Sequence, residues 1–157
     1  MQIRTEADKL KTAARNLVLQ GWSVIPTQGK RPLGENGFKD AVCTLEAVRE
    51  LDFSKGGLAV VPGEGVVVLD IDPPKGGNEE AARALAESAY NQLMREWKVL
   101  LESWIERTPS GGYHIFARLP QKVRPEELKK RIELPSGLAF ELLGNGKGAV
   151  VVSPTAG

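Results

Sequence analysis

The sequence predicts an α+β fold in which helices flank a mixed, largely antiparallel sheet. Short runs of β-branched and apolar residues, separated by Gly- and Pro-containing turns, are typical of strands joined as hairpins. Two longer segments have apolar residues at helical spacing. The order is helix, strand, helix, hairpins around a long helix, then a closing hairpin. This order argues against a doubly wound parallel sheet, in which strands and helices alternate regularly.

The first half of the chain begins with an amphipathic helix over about 5–20, which ends at Gly21. After it we expect, in order, a strand at 22–26, a loop at 27–40, a short helix capped by Thr44 and running to about Leu51, and strands at 58–61 and 66–71. The turn sequence Pro62-Gly63-Glu64-Gly65 separates the last two strands and predicts that they form a hairpin.

The second half begins with Asn78, a good N-cap for a long helix that opens with two glutamates and runs to about Lys98. A strand–turn–strand unit follows, with strands at 104–108 and 113–118. A short helix is predicted from Pro125 to Arg131. Strands at 138–143 and 149–152, around a Gly-rich turn, predict a closing hairpin.

Composition limits the class of protein. The 157 residues fit one domain, with 41% hydrophobic and 26% charged residues, as in ordinary globular proteins. Lys and Arg total 21 against 20 acids, so any nucleic-acid contact must use a local basic patch. No run reaches the ~18 apolar residues of a membrane span, and the N-terminus lacks a signal-peptide pattern. We expect a cytoplasmic domain, and its end directly after an apolar strand predicts a fragment of a longer protein.

Single copies of two reactive residues exclude several kinds of site. Cys43 is the only cysteine, which excludes an intramolecular disulfide and a multi-cysteine zinc site. Next to Val42, it is expected to be a small core residue. His114 is the only histidine, so mechanisms that need two histidines of this chain are excluded.

The strand predicted at 66–71 leads into an Asp-x-Asp sequence. Asp70 and Asp72 would share one face of the strand, with Cα atoms roughly 6.6 Å apart, while Ile71 points to the core. Carboxylates this close repel each other, and a divalent cation such as Mg²⁺ or Mn²⁺ would relieve the repulsion. A strand that ends in two solvated acids fits this pattern equally well.

The turn from Thr108 to His114 is a second candidate. Ser110, Gly111 and Gly112 suit a turn whose backbone N–H groups approach an anion. His114 would assist phosphate binding or proton transfer if it faces the two aspartates. The alternative is a surface turn followed by a structural histidine.

Several further residues complete the set of candidates. Glu141 faces opposite to its apolar neighbours and would be a third carboxylate, although an acid at such a position is usually solvated. Basic residues that would supply charge to a triphosphate or a nucleic acid, if not simply solvated, are Lys30, Arg31, Lys39 and Lys147. The aromatic residues Trp97, Trp104 and Tyr113 are assigned to the core rather than to base stacking.

These segments together resemble the bifunctional primase-polymerase (prim-pol) branch of the archaeo-eukaryotic primase superfamily. The resemblance rests on Gly21-Trp22-Ser23-Val24-Ile25-Pro26, the Lys-x-Pro element Lys30-Arg31-Pro32, the strands that lead to Asp70 and Asp72, Thr108-Pro109-Ser110-Gly111-Gly112-Tyr113-His114, Glu141, and the segment 146–154. The Thr-Pro-Ser-Gly-Gly-x-His stretch is the most specific match. The resemblance implies an RRM-like primase-polymerase catalytic core that covers residues 1–157.

The resemblance also implies a function: template-directed nucleotidyl transfer, as DNA primase, DNA polymerase or both. Asp70, Asp72 and Glu141 would hold two Mg²⁺ or Mn²⁺ ions, with no zinc, although the family usually has aspartate where Glu141 stands. His114 would join these acids in catalysis. The residues implied in nucleotide binding are Lys30, Thr108, Ser110, Gly111, Gly112, His114 and Lys147.

The implied partners are nucleoside triphosphates and a single-stranded or primed DNA template. A helicase or helical primase region C-terminal to residue 157, and an origin in a plasmid, phage or related element, are also expected from the resemblance. No membrane partner is expected.

Three other classes share parts of the pattern. Haloacid-dehalogenase-type phosphatases also have a strand that ends Asp-x-Asp, but they expect Thr or Val where Pro74 stands, and a parallel sheet. Glycosyltransferases share the Asp-x-Asp metal site, usually in longer domains. A non-catalytic nucleic-acid-binding module is the third alternative, and the intact acid pair argues against it.

Overall fold

The computed structural model describes residues 3–63, 65–98, 103–118, 120, 122, 130–144 and 148–152. Within them the fold is α+β, as predicted, with three α-helices. The strands form two antiparallel sheets rather than the single mixed sheet expected from the sequence. The helices are α1 (Glu6–Leu19), α2 (Leu45–Arg49) and α3 (Glu79–Glu96), with a 3-10 turn at Gly37–Asp40. The strands are β1 (Ser23–Gln28), β2 (Arg31–Pro32), β3 (Gly57–Val61), β4 (Val66–Asp72), β5 (Ile105–Arg107), β6 (Tyr113–Arg118), β7 (Arg131–Glu133), β8 (Ala139–Gly144) and β9 (Val150–Val151).

The chain divides into two compact units, and the first comprises Met1–Glu64 with Gly146–Gly157. Its sheet has the strand order β2-β1-β3-β9. A capping box between Thr5 and Asp8 begins α1, and Gly21, with a φ of 92°, follows its end as predicted. Thr44 caps α2 by accepting a hydrogen bond from the backbone N–H of Ala47.

The second unit comprises Gly65–Asn145, and its sheet has the order β5-β6-β4-β8-β7. Every pairing between these neighbouring strands is antiparallel. The side chain of Asn78 accepts a hydrogen bond from Ala81 N–H and so caps α3. A buried hydrophobic cluster of this unit joins α3 to one face of the sheet and consists of Ile71, Ala86, Met94, Tyr113, Ile115 and Leu138. The opposite sheet face carries the acids.

Two predicted hairpins are wrong. β3 does not pair with β4, because β3 lies between β1 and β9 while β4 lies between β6 and β8. Each of these strands is interior, and both of its edges are already occupied. The predicted closing hairpin fails in the same way, since β8 pairs with β4 and β7 whereas β9 pairs with β3. Turn composition indicates where a strand ends but not which strand pairs with it.

Two local predictions also need correction. Most of the helix predicted from Pro125 to Arg131 lies outside the described residues, but Arg131 itself begins strand β7. Cys43 is exposed rather than buried in the core. It immediately precedes the N-cap of α2, and its apolar neighbour Val42 did not imply burial at the next position. In the part of the chain that the structure describes, we find no helix long and apolar enough to cross a membrane.

Candidate active site

Five ionisable residues form one row across the sheet of the second unit. Asp70 on the central strand β4 is directly opposite His114 on β6 and Glu141 on β8. The outer strands extend the row, with Glu106 opposite His114 and Arg131 opposite Glu141. Because directly paired residues lie on the same face of a sheet, all five side chains share one face. We call this set, Glu106, His114, Asp70, Glu141 and Arg131, the charged row.

Asp72 lies two residues beyond Asp70 on the same face, opposite Ala139 of β8. Ile71, between the two aspartates, points to the other face and is fully buried in the core beneath α3. Both aspartates remain partly accessible. The structure therefore confirms the predicted facing of the Asp-x-Asp sequence: a buried isoleucine anchors the strand end and leaves two carboxylates side by side.

His114 faces Asp70, as its proposed role requires. Its Nε2 atom lies 3.6 Å from Oδ1 of Asp70, and the two side chains are only 14% and 19% exposed. This separation is longer than that of a good hydrogen bond. The two side chains form an ion pair only when the imidazole is protonated. The only histidine of the chain is therefore held beside the first aspartate, in a largely buried position.

Glu141 reaches the same face, but its carboxylate also has a basic partner. Nη1 of Arg131 donates a hydrogen bond to Oε2 of Glu141 over 3.3 Å, and Nη2 lies 3.5 Å from Oε2 of Glu133. Among the described residues, no group of three or more His, Cys, Asp or Glu side chains is arranged to hold a metal ion. The donor chemistry still fits, since Asp70, Asp72 and Glu141 offer hard carboxylate oxygens from neighbouring positions on one face.

The turn before β6 is organised around Thr108. Gly111 N–H donates to the carbonyl of Thr108 over 2.9 Å, and Gly112 N–H donates to Thr108 Oγ1 over 3.0 Å. The hydroxyl groups of Thr108 and Ser110 are also 3.0 Å apart. The two amides that we expected to face a triphosphate therefore already serve the turn itself. Ser110 is exposed at the tip of the turn, so its hydroxyl is the more accessible group.

Gly111 and Gly112 are each required in this turn for a different steric reason. A Cβ atom on Gly112 would overlap the carbonyl oxygen of Ile71, so the turn packs directly against the end of β4. Gly111 has a φ of +88°, and a Cβ there would overlap the side-chain stem of Arg83. Arg83 extends from α3 and donates from Nη2 to the carbonyl of Pro109 over 2.9 Å. The turn is thus held by the strand on one side and by α3 on another.

Comparison with protein-family models matches residues 14–157 to the Prim-Pol family, the N-terminal domain of bifunctional DNA primase/polymerases. The chain belongs to this family. The Prim-Pol family implies nucleotidyltransferase activity, nucleotide substrates and a DNA template in general, and its enzymes generally depend on divalent metal ions. No individual curated protein matches the chain.

Other residues were also singled out from the sequence. Lys30 is exposed in the turn between β1 and β2, in the first unit, and Lys147 lies outside the described residues. Trp104 stacks on Phe116 with ring centroids 4.0 Å apart, in agreement with a packing role. Trp97 is 60% exposed, so its assignment to the core was wrong.

Three residues at the candidate Prim-Pol site were not identified from the sequence. Glu106 and Arg131 belong to the charged row, and Arg83 supports the turn before β6. The turn length could have revealed Glu106, because pairing Arg107 with Tyr113 across the turn places Glu106 opposite His114. No comparable signal identifies Arg131, because the sequence predicts a helix that ends at this residue. Arg83 lies on a helix where half of the exposed residues are charged, so nothing in the sequence distinguishes it.

Proposed function

We propose that this Prim-Pol chain catalyses template-directed nucleotidyl transfer at the charged row and Asp72. The observation that carries the proposal is the register of β4, which sets Asp70 opposite His114 on one side and Glu141 on the other. Three carboxylates and one imidazole on a single sheet face match the chemistry of attaching a nucleotide to a hydroxyl group. The family match supports the same reaction class.

The three acids are the residues that would hold the divalent ions, two Mg²⁺ or Mn²⁺. When bound at such a site, the ions lower the pKa of an attacking 3′-hydroxyl and neutralise the charge of the triphosphate. Asp70 and Asp72 carry the primary role because they follow one another on the same strand face. Glu141 has a longer side chain and a competing arginine, so it is the ligand whose position must change most.

We assign triphosphate binding to His114 and to Ser110. His114 stands beside Asp70, where its imidazole can donate a hydrogen bond to a phosphate oxygen or assist a proton transfer. The exposed Ser110 hydroxyl adds a second donor, while Thr108, Gly111 and Gly112 shape the turn that presents it. Roles for Lys30 and Lys147 in binding the phosphates remain proposals that rest on the family resemblance alone.

Two alternatives receive less support. In the phosphatases with a similar Asp-x-Asp strand the sheet is expected to be parallel, whereas both neighbours of β4 are antiparallel to it. A non-catalytic nucleic-acid-binding module would not need the acids kept together on one face. Three expectations stay predictions: residues 1–157 form one catalytic domain, a helicase or helical primase region follows it, and the protein originates in a plasmid, phage or related element.

The test is nucleotide incorporation on a primed DNA template with Mg²⁺ or Mn²⁺. We expect Asp70→Asn combined with Asp72→Asn to abolish incorporation, because these changes remove the charge and keep the size of the side chains. The matched control is Glu80→Ala combined with Glu87→Ala, which removes two exposed acids from α3 and should leave incorporation unchanged. Equal incorporation by the aspartate double variant and the wild type would overturn the proposal.

A further inference from the structure

Arg131 lies at the end of the charged row, next to the carboxylate proposed as the third metal ligand. Its guanidinium donates to Oε2 of Glu141 over 3.3 Å, and the side chains of Arg131 and Glu141 are 44% and 36% exposed. Arginine stays protonated at any working pH, so this cation is permanent. A divalent ion that recruits Glu141 must therefore compete with a positive charge that already holds the same carboxylate.

Glu133 supplies the second part of this arrangement. Its Oε2 lies 3.5 Å from the other terminal nitrogen of Arg131, so the guanidinium is shared between two carboxylates on neighbouring strands. If Glu141 turns toward a metal ion, Arg131 keeps an acidic partner and is not left as an unpaired cation. Both glutamates are accessible, so Glu141 can leave Arg131, and Arg131 can pair with Glu133 alone, without movement of the core of the unit.

We propose that Arg131 is a built-in competitor of the divalent metal ion for Glu141, and that it sets how tightly the free chain binds that ion. The inference rests on the proposed function, since it needs Glu141 to be a metal ligand. In the part of the chain that the structure describes, no three acids are arranged to hold a metal ion, and the third acid is paired with an arginine on β7. The residue is a positioning residue, because it acts through Glu141 and not on the substrate.

The size of the expected effect follows from exposure. A partly exposed ion pair contributes little, because water and salt screen it. Release of Glu141 by Arg131→Gln should therefore tighten Mn²⁺ binding by about two- to fivefold. Removal of any positive charge near the site would also tighten Mn²⁺ binding, so the effect of Arg131→Gln alone does not prove competition for Glu141. The distinction lies in whether the gain depends on Glu141.

A double-mutant cycle makes that distinction, with Mn²⁺ alone as the probe and its free electron paramagnetic resonance signal as the readout. The variants are Arg131→Gln, Glu141→Gln and the two together; Asp70 and Asp72 remain, so Mn²⁺ binding stays measurable. We expect Arg131→Gln to tighten Mn²⁺ binding more in the wild-type background than in the Glu141→Gln background. The exposed Arg95 on α3 provides the control, and Arg95→Gln should change nothing.

Each other outcome overturns the inference. Binding that is unchanged or weaker in Arg131→Gln would show that Arg131 does not oppose the metal. An equal gain in both backgrounds would show a general charge effect without competition for Glu141. Asp70→Asn, measured in the same titration, separates failure of the proposed metal site from failure of the competitor role of Arg131. If Asp70→Asn leaves Mn²⁺ affinity intact, the proposed metal site itself fails; if it weakens binding while the cycle shows no coupling, only the competitor role fails.

Discussion

Gly112 and Ile71 are in direct backbone contact: a Cβ atom on Gly112 would overlap the carbonyl oxygen of Ile71. The contact joins the turn that bears Ser110 to the strand end that bears Asp70 and Asp72. It therefore fixes the distance between the two parts of the proposed site, one for phosphate and one for metal. The Gly111-Gly112 pair, which the sequence predicts to form an anion-binding nest, serves first to let the turn pack closely against the end of β4.

Gly112→Ala should destabilise the chain by about 1–3 kcal/mol, the usual cost of forcing a methyl group into a filled space. The obstructing atom is a backbone carbonyl, which cannot move away by changing rotamer. Urea unfolding measures the loss. Gly63→Ala is the control, because no atom lies within 4 Å of a Cβ built there, and it should change stability by less than about 0.5 kcal/mol. Equal stability of the two variants would contradict the contact.

Arg83→Ala should weaken nucleotide binding more than it slows the chemical step. The change removes the hydrogen bond to the Pro109 carbonyl and the side-chain stem that lies over Gly111. A net loss of about 1 kcal/mol corresponds to roughly a fivefold rise in KM for the nucleoside triphosphate. Steady-state incorporation kinetics measure it, with Arg95→Ala, at the other end of α3, as the control. A fall in kcat at constant KM would show that Arg83 does not act through the turn.

His114→Ala should lower nucleotide incorporation by about 10²-fold, the usual contribution of a residue that assists proton transfer or holds a reacting group. Mn²⁺ affinity should stay within about twofold of wild type, because the proposal makes His114 a phosphate-binding residue and not a metal ligand. Incorporation and Mn²⁺ titration are measured on the same preparation. A loss of Mn²⁺ affinity as large as the loss of activity would contradict this assignment.

The start of α1 should make the stability of the first unit depend on pH. The hydrogen bond from the Thr5 hydroxyl, followed by the one from the Thr5 backbone N–H, lowers the pKa of the Asp8 carboxyl below its ordinary value. A lowered folded-state pKa means that the carboxylate stabilises the fold above about pH 4, and that this contribution disappears as the pH falls through the folded value. Asp8→Asn should thus reduce stability at pH 7, and its difference from wild type should shrink toward pH 3 in urea unfolding. An equal difference at both pH values would contradict the capping account.

Much of the site could be predicted because strands alternate their faces. The sequence indicated that Asp70 and Asp72 share a face opposite to Ile71, and that Glu141 opposes Phe140, and the structure confirms both. What alternation does not determine is the register between strands that are distant in the sequence. That Asp70 lies opposite Glu141 depends on the pairing of β4 with β8, which no local pattern encodes.

The errors have the same origin. The turns at 62–65 and 144–148 looked like hairpin turns, but each follows a strand whose two edges are taken by other strands. The sequence predicts a helix for the short segment that ends at Arg131, because Pro125 suits a first helical turn. Since Arg131 in fact begins an edge strand, its pairing with Glu141 was invisible until tertiary structure supplied it.

The most direct measurement of the central claim is a crystal structure of the chain with a non-hydrolysable nucleoside triphosphate and Mn²⁺, with anomalous scattering used to locate the metal. We expect manganese peaks bound by the carboxylates of Asp70 and Asp72, with Glu141 released from Arg131 and the triphosphate near His114 and Ser110. Manganese bound elsewhere, with Asp70 and Asp72 free of metal, would contradict it.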